Sequence, residues 1–173
     1  MSIARTARLD LVPLPAAVVR DLLEPEPPPH IVVGAYELPS AGFAGDGFVL
    51  GLRHAQLREH PDHEPWLLRA MIDRSAGALV GKAGFHAPPD GTGTVEIGYR
   101  VDEAYRRRGY ATEAVVGLLG WGARHGAKRF LASVSPDNEA SLAIVRRLGF
   151  TKIGEQMDEI DGLELVFARS GPP

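Results

Sequence analysis

The stretch Thr94-Val95-Glu96-Ile97-Gly98-Tyr99-Arg100-Val101-Asp102-Glu103-Ala104-Tyr105-Arg106-Arg107-Arg108-Gly109-Tyr110-Ala111-Thr112 decides how the chain is read. Its first eight residues alternate: Val95, Ile97, Tyr99 and Val101 share one face, and Glu96, Gly98 and Arg100 the other, the period of a β-strand. Its end opens a helix, because Ala111, Ala114, Val115, Leu118, Leu119 and Gly122 follow the i, i+3, i+4 spacing of a buried stripe up to about His125. Between strand and helix stand three arginines and a glycine. The first amides of a helix lack an internal acceptor, and the helix dipole adds positive potential there, so phosphate binds well at such a place. Gly109 and Ala111 are small where a pyrophosphate must approach the backbone, and Arg106, Arg107 and Arg108 add forked cationic donors. On physics alone the run is either an anion site or a solvated basic turn. It is not a Walker loop, and it lacks the G-x-G-x-x-G of dinucleotide folds.

Working outward, Lys128 to Ser135 reads as a further strand. Asn138 caps a second helix running to Leu148. Gly149 fits the left-handed residue after it, with Phe150 folding back onto Val145. Thr151 to Met157 and Leu163 to Arg169 read as two final strands flanking the hairpin signal Asp161-Gly162. Gly117, Gly120 and Gly122 each cost the first helix roughly 1 kcal/mol against alanine, which predicts a close helix-to-sheet contact. Upstream, Leu67 to Asp73 and Ala78 to Phe85 form an antiparallel pair around Ser75-Ala76-Gly77, and Pro88 to Gly93 is turn-forming. Ala7 to Leu14 suggests a first strand and Pro15 to Leu23 a short helix, stopped by the prolines of Glu24 to Pro29. From there to Pro65 the periodicity is poor, with one helix expected near Gly51 to Glu59. The order predicts an α/β (α+β) domain, α/β layers around a mixed sheet, in one unit.

The composition, 45% hydrophobic and 24% charged, is that of a globular protein, and 173 residues suit one well-buried domain. A net charge of -3 argues against nucleic-acid and membrane-surface binding, which favour basic chains, and leaves room for a cationic substrate. No cysteine is present, so disulfides and thiolate chemistry are excluded. With no apolar run of signal-peptide or membrane-span length, a cytoplasmic location is the expectation.

The strand, then Arg-x-x-Gly-x-Ala, then helix resembles the pyrophosphate loop of the GNAT superfamily of acetyl-CoA-dependent N-acetyltransferases. Glu96-Ile97-Gly98-Tyr99 and Gly109-Tyr110-Ala111-Thr112-Glu113-Ala114 are similar to its ribosomal-protein N-acetyltransferase branch, as are Pro136-x-Asn138-x-x-Ser141 and Leu148-Gly149-Phe150. The match runs from about Leu67 to Arg169 in the family's order. The resemblance implies a mostly antiparallel central sheet of about six to seven strands with a splayed central pair. Residues 1–65 would form the acceptor side and 66–170 the acetyl-CoA-binding core of a single domain. The amides of Arg106, Arg107, Arg108, Gly109, Tyr110, Ala111 and Thr112 would hold the CoA pyrophosphate. The strand carrying Tyr99, Arg100 and Val101 would diverge from Lys128 to Ser135, and the pantetheine arm would lie in the gap, bonded to exposed backbone as an added strand is. Asn138 and Ser141 would touch the cofactor near its thiol.

Acyl transfer to an amine needs a base for the ammonium proton and an outlet for the thiolate. Glu96 is the candidate base. On a central strand it would be partly buried and its pKa pushed upward, with Gly98 leaving space for the acyl group. The other reading is a solvated glutamate, or one paired with an arginine. Many relatives place a tyrosine acid five residues before the phenylalanine of the Gly-Phe ending; that position is Val145 here. Ser141, one turn upstream, is the substitute candidate, unless it only caps the helix. No covalent enzyme intermediate is expected.

Lesser candidates are read structurally. His60-x-x-His63 lacks a third ligand, so no metal is expected. His86 and His125 fall at strand or helix ends, Trp66 and Trp121 in the core or a pocket wall. Asp46, Asp62 and Glu64 line an acceptor pocket or are solvated. The acceptor is a primary amine, on a small molecule or a protein N-terminus, and the oligomeric state stays open, a homodimer included. Two rivals follow: a non-catalytic acyl-CoA-binding module, which Val145 keeps alive, and a regulator using the arginine loop for ATP.

Overall fold

Alternation along the strands places two cores on the two faces of one sheet. In the computed structural model, which describes residues 3–160 and 162–171, strand β2 (Leu9–Pro13) sends Leu9 and Leu11 to one face and Val12 to the other. Strand β5 (Leu68–Asp73) sends Met71 to the first and Ala70 and Ile72 to the second. The remaining strands are β1 (Ala4–Arg5), β3 (His30–Val33), β4 (Tyr36–Pro39), β6 (Ala78–Phe85), β7 (Thr94–Val101), β8 (Arg129–Val134), β9 (Thr151–Asp158) and β10 (Gly162–Ser170). The helices are α1 (Ala16–Asp21), α2 (Gly47–Glu59), α3 (Tyr110–Arg124) and α4 (Glu139–Arg147). Eight strands form the main sheet in the order β1-β2-β5-β6-β7-β8-β10-β9, and β3 and β4 make a separate hairpin. Every neighbouring pair in the main sheet is antiparallel except β7 and β8. The sheet is thus mixed and mostly antiparallel, as expected, with the short β1 as the added strand.

One face is covered by α3 and α4, which bury Leu118, Leu119, Leu142 and Val145 with Phe85 and Phe130. The other carries α1, α2 and the β3–β4 hairpin, which bury Val19, Leu50 and Leu38 with Val12 and Ile72. The α3 glycines divide. A Cβ on Gly117 would stand 2.5 Å from the Thr6 methyl, and one on Gly122 would stand 3.1 Å from both Phe85 and Phe130, so these two let the helix approach the sheet. Gly120 would meet only the Arg124 side chain at 3.5 Å, and nothing in the fold requires it. Trp66 and Trp121 are core, edge to face at 4.8 Å. Among the described residues no helix is long and apolar enough to cross a membrane.

Helix α4 begins and ends as its sequence predicts. Asn138 Oδ1 accepts the Ser141 amide at 3.1 Å, and the amides of Phe150 and Gly149 return to the carbonyls of Val145 and Arg146 around Gly149 at φ 75. Strands β9 and β10 pair as the expected hairpin; Asp161 of its turn signal lies outside the described residues. The β3–β4 hairpin was not expected. Its loop is Gly34-Ala35, with Gly34 at φ 65, between Val33 and Tyr36. A Gly-x pair between Ile31-Val32-Val33 and Tyr36-Glu37-Leu38 is a hairpin signal hidden by the prolines before it. Helix α2 starts four residues before the expected Gly51.

Candidate active site

Strands β7 and β8 pair only from Thr94 to Glu96 against Arg129 to Leu131. Beyond that, β7 stays with β6 through Val101, while β8 stays with β10 through Val134. The two central strands therefore part, and the gap between them is a cavity of about 430 Å³ lined by His86, Gly98, Tyr99, Ser133, Asn138 and Ser141. On one side it adjoins a groove of about 560 Å³ that runs past Tyr99 and Ser141 to Arg106, Arg107 and the start of α3. On the other lies a cavity of about 450 Å³ between α2, β6 and β7. Tyr99 and Asn138 line all three.

The groove ends at the arginine loop. Arg107 at φ 60 and Gly109 at φ 79 take left-handed backbone, a turn that aims successive N–H groups into one concavity. The first intrahelical bond of α3 runs from the Glu113 amide to the Gly109 carbonyl. The amides from Arg107 to Thr112 meet no acceptor among the described residues, which is what an anion needs. The loop is braced from outside. Glu113 accepts from Thr6 Oγ1 at 2.6 Å and from Arg8 Nε at 2.7 Å, Arg8 also donates to the Arg108 carbonyl at 3.0 Å, and the Tyr110 hydroxyl donates to Asp73. The three arginines differ. Arg106 lines the groove and donates through Nε to the Val101 carbonyl at 3.2 Å, and Arg107 lines it with no side-chain partner among the described residues. Arg108 divides: its amide keeps its place in the turn, but its side chain, expected as a cationic donor, turns back to the Ala104 carbonyl at 3.0 Å, over the Tyr105 ring, and does not line the groove. Arg100 lines the groove with Tyr99 and Val101, while its guanidinium is ion-paired with Asp46.

Glu96 is half-buried, but its carboxylate lines none of the three cavities. Oε1 accepts from Ser133 Oγ at 2.6 Å, and Oε2 lies 3.5 Å from His86 Nδ1. The expected upward pKa shift is overturned. The His86 contact, with that of Ser133, outweighs burial and holds the carboxyl below its usual range. His86 itself lines both the gap and the cavity under α2, and its Nε2 would stand 3.1 Å from a Cβ at Gly98. A glycine at 98 is what lets the ring lie there. Sequence reading took His86 as a strand end only. The pairing follows from the register that the fold supplies: Gly84 opposes Gly98 and Phe85 opposes Ile97, so His86 opposes Glu96, and the His86 amide donates to the Glu96 carbonyl at 2.9 Å.

The Tyr99 hydroxyl is buried without a hydrogen-bond partner among the described residues. Burial pushes its pKa up; Ser141 lies close enough to oppose that shift without bonding geometry. Ser141 keeps a half-exposed hydroxyl on the gap and the groove, since Asn138 caps its amide instead. Val145 is packed in the core, 1% exposed, so nothing replaces the tyrosine missing there.

The cavity under α2 is lined by Asp46, Arg53, Lys82, His86, Tyr99 and Arg100 among others. Lys82, 5% exposed, lies 3.2 Å from Asp46 and 3.0 Å from Asp102. Of the three acids named from sequence, only Asp46 reaches the cavity. Glu64 accepts the Ala16 amide at 3.2 Å, and Asp62 joins His60 and His63 at the surface, their ligand atoms within 4.8 Å of one another.

Residues 48–151 match the Acetyltransferase (GNAT) domain family. Over 88 residues the chain is 37% identical to the uncharacterised N-acetyltransferase YjdG of Bacillus subtilis, a stretch covering 50% of this chain and 51% of that protein. The chain therefore spans about half the length of the curated relatives it matches. Solved structures overlie nearly all of it. A GNAT-family acetyltransferase from Bacillus anthracis has a TM-score of 0.65 at 19% identity, covering 98% of each chain. RimL, a ribosomal L7/L12 alpha-N-protein acetyltransferase solved with coenzyme A, has a TM-score of 0.69 at 18% identity and the same coverage. With the parted strands, the arginine loop and the matched domain on one chain, this protein belongs to the GNAT acetyltransferase family.

Proposed function

We propose that the chain moves an acetyl group from acetyl-CoA to a primary amine, of a small molecule or a protein N-terminus, by direct attack in a ternary complex. The observation that carries this is the gap between β7 and β8, which joins the groove ending at the unpaired loop amides to a separate cavity under α2. The residues fit the donor. The amides of Gly109 to Thr112, with Arg106 and Arg107, suit a pyrophosphate, and the diverging edges of β7 and β8 suit the amide-bearing pantetheine arm.

In this reading the amine nitrogen attacks the thioester carbonyl, the carbon–sulfur bond breaks, and CoA leaves as a thiol. His86 takes the ammonium proton at Nε2, and Glu96, ionised at neutral pH, orients the ring from Nδ1 and balances the imidazolium charge. Glu96 thereby keeps a part in proton transfer, one step behind the group that meets the amine. The 3.5 Å separation is long for a hydrogen bond, as catalytic contacts often are before substrates bind. The Tyr99 hydroxyl, protonated and without a partner, supplies the proton or hydrogen bond to the departing sulfur, with Ser141 beside it. The test is release of free CoA thiol from acetyl-CoA across a panel of primary amines. Amine-dependent release is expected. CoA that stabilises the protein without any release supports the binding-module reading, and stabilisation by ATP but not CoA rejects both.

A further inference from the structure

The charges around the acceptor-side cavity do not balance. Lys82 and Arg100 share Asp46, and Lys82 also pairs with Asp102, so two cations meet two carboxylates. Arg53 also lines this cavity, is 8% exposed, and forms no ion pair among the described residues. One terminal nitrogen donates to Gln56 Oε1 at 2.6 Å and, at 3.3 Å, to the His86 carbonyl. Its Nε and second terminal nitrogen donate to nothing among the described residues. Among the described residues no carboxylate offsets the partial desolvation of the guanidinium, and its unbonded nitrogens, not among the buried unsatisfied atoms, stay open to the cavity it lines, where an anion can reach them. A purely structural role is a weak account of it. The tie from α2 to the His86 carbonyl is already made by Gln56 Nε2 at 3.0 Å, which carries no charge.

We infer that Arg53 receives an acidic group carried by the amine acceptor itself, so that the acceptor is a small amine bearing an acid, such as an α-amino acid. Arg53 enters from α2, and the His86 ring lines the same cavity. One small molecule can therefore set its acid on the guanidinium and its amine toward the imidazole. The guanidinium fork matches a carboxylate or a phosphonate in the same bidentate way. This inference rests on the acetyl-transfer reading and narrows its acceptor.

The experiment measures thiol release from acetyl-CoA with matched amines: L-amino acids, their carboxamides, and 1-aminoalkylphosphonates. For the wild-type protein an acid-bearing amine is expected to exceed its carboxamide by at least about tenfold in kcat/KM, the worth of a hydrogen bond to a charged group. Arg53→Gln should abolish that preference, mainly through KM of the acid, with a clearly smaller loss on the carboxamide. Arg53→Lys, which keeps the charge but not the fork, should retain a reduced preference, and it carries the test if Arg53→Gln fails to fold. The phosphonate arm identifies which acid is taken. Equal wild-type rates for acids and carboxamides, an Arg53→Gln loss falling equally on both, or an undiminished preference in Arg53→Lys overturns the inference. A wild-type protein that binds CoA but acetylates no amine fails earlier, at the acetyl-transfer reading, and sinks both.

Discussion

The proposed donor and acceptor sides of this molecule meet at Tyr99 and Asn138, yet they are built on different principles. The donor side is backbone: parted strands, a left-handed turn at Arg107 and Gly109, and the first amides of α3. The acceptor side is side chains brought from far apart, with Asp46 on Arg100, Lys82 between Asp46 and Asp102, and Arg53 above the His86 carbonyl. A backbone site depends on a few residues with special conformational freedom and tolerates change elsewhere. A side-chain site depends on each charge finding its partner, and it can be retuned without disturbing the fold. The two should therefore fail separately.

The largest separation is expected at the chemistry between them. His86→Gln should lower kcat by about 10²- to 10⁴-fold with CoA affinity unchanged, measured by steady-state kinetics beside a CoA titration. Glu96→Gln should cost less than His86→Gln, because it removes the orienting partner and not the proton acceptor. The reverse order would return Glu96 to the role of base. Next is the donor side alone. Gly109→Val forces a β-branched residue into φ 79 and crowds the phosphate approach. It should weaken CoA binding by about 10- to 100-fold in calorimetry and leave the preference among amines unchanged.

A smaller effect distinguishes function from packing. The Tyr99 hydroxyl has no partner to lose, so Tyr99→Phe should keep or raise Tm while lowering kcat by about tenfold. A fall in Tm would show that the hydroxyl is structural. The smallest concerns Asp73, whose bonds from Ser75 and Tyr110 hold its carboxyl down to about 2. The folded protein keeps this carboxylate ionised where the unfolded chain, near its ordinary value, takes up a proton. Its contribution is present above about pH 4 and is lost as pH falls from there toward 2. Asp73→Asn should lower Tm by about 2–4 °C near pH 6 and flatten that acid limb, read from melts between pH 6 and 2.5.

The same contrast explains what the sequence made legible. The loop, its helix and the α4 caps are contiguous, so alternation, helical spacing and turn chemistry expose them directly. The parting of β7 from β8 was implied only by resemblance, since strand order is not written in local pattern. Asp46 and Arg100 stand 54 positions apart, and no local pattern joins them. Glycines at 47 and 51 blurred the start of α2, and with it the face that carries Arg53. The pKa of Glu96 was misjudged because burial was visible in the strand pattern and the His86 partner was not. Arg108 was misplaced because composition shows three cations in a row but not which of them turns back on Ala104.

One path should run from the loop amides through the strand gap to the cavity under α2. A crystal structure of the protein with CoA tests it most directly. The pyrophosphate is expected on the amides of Gly109 to Thr112 and the sulfur within hydrogen-bond reach of the Tyr99 hydroxyl, between β7 and β8. A CoA bound away from that loop, or a sulfur remote from Tyr99 with the gap unfilled, would contradict it.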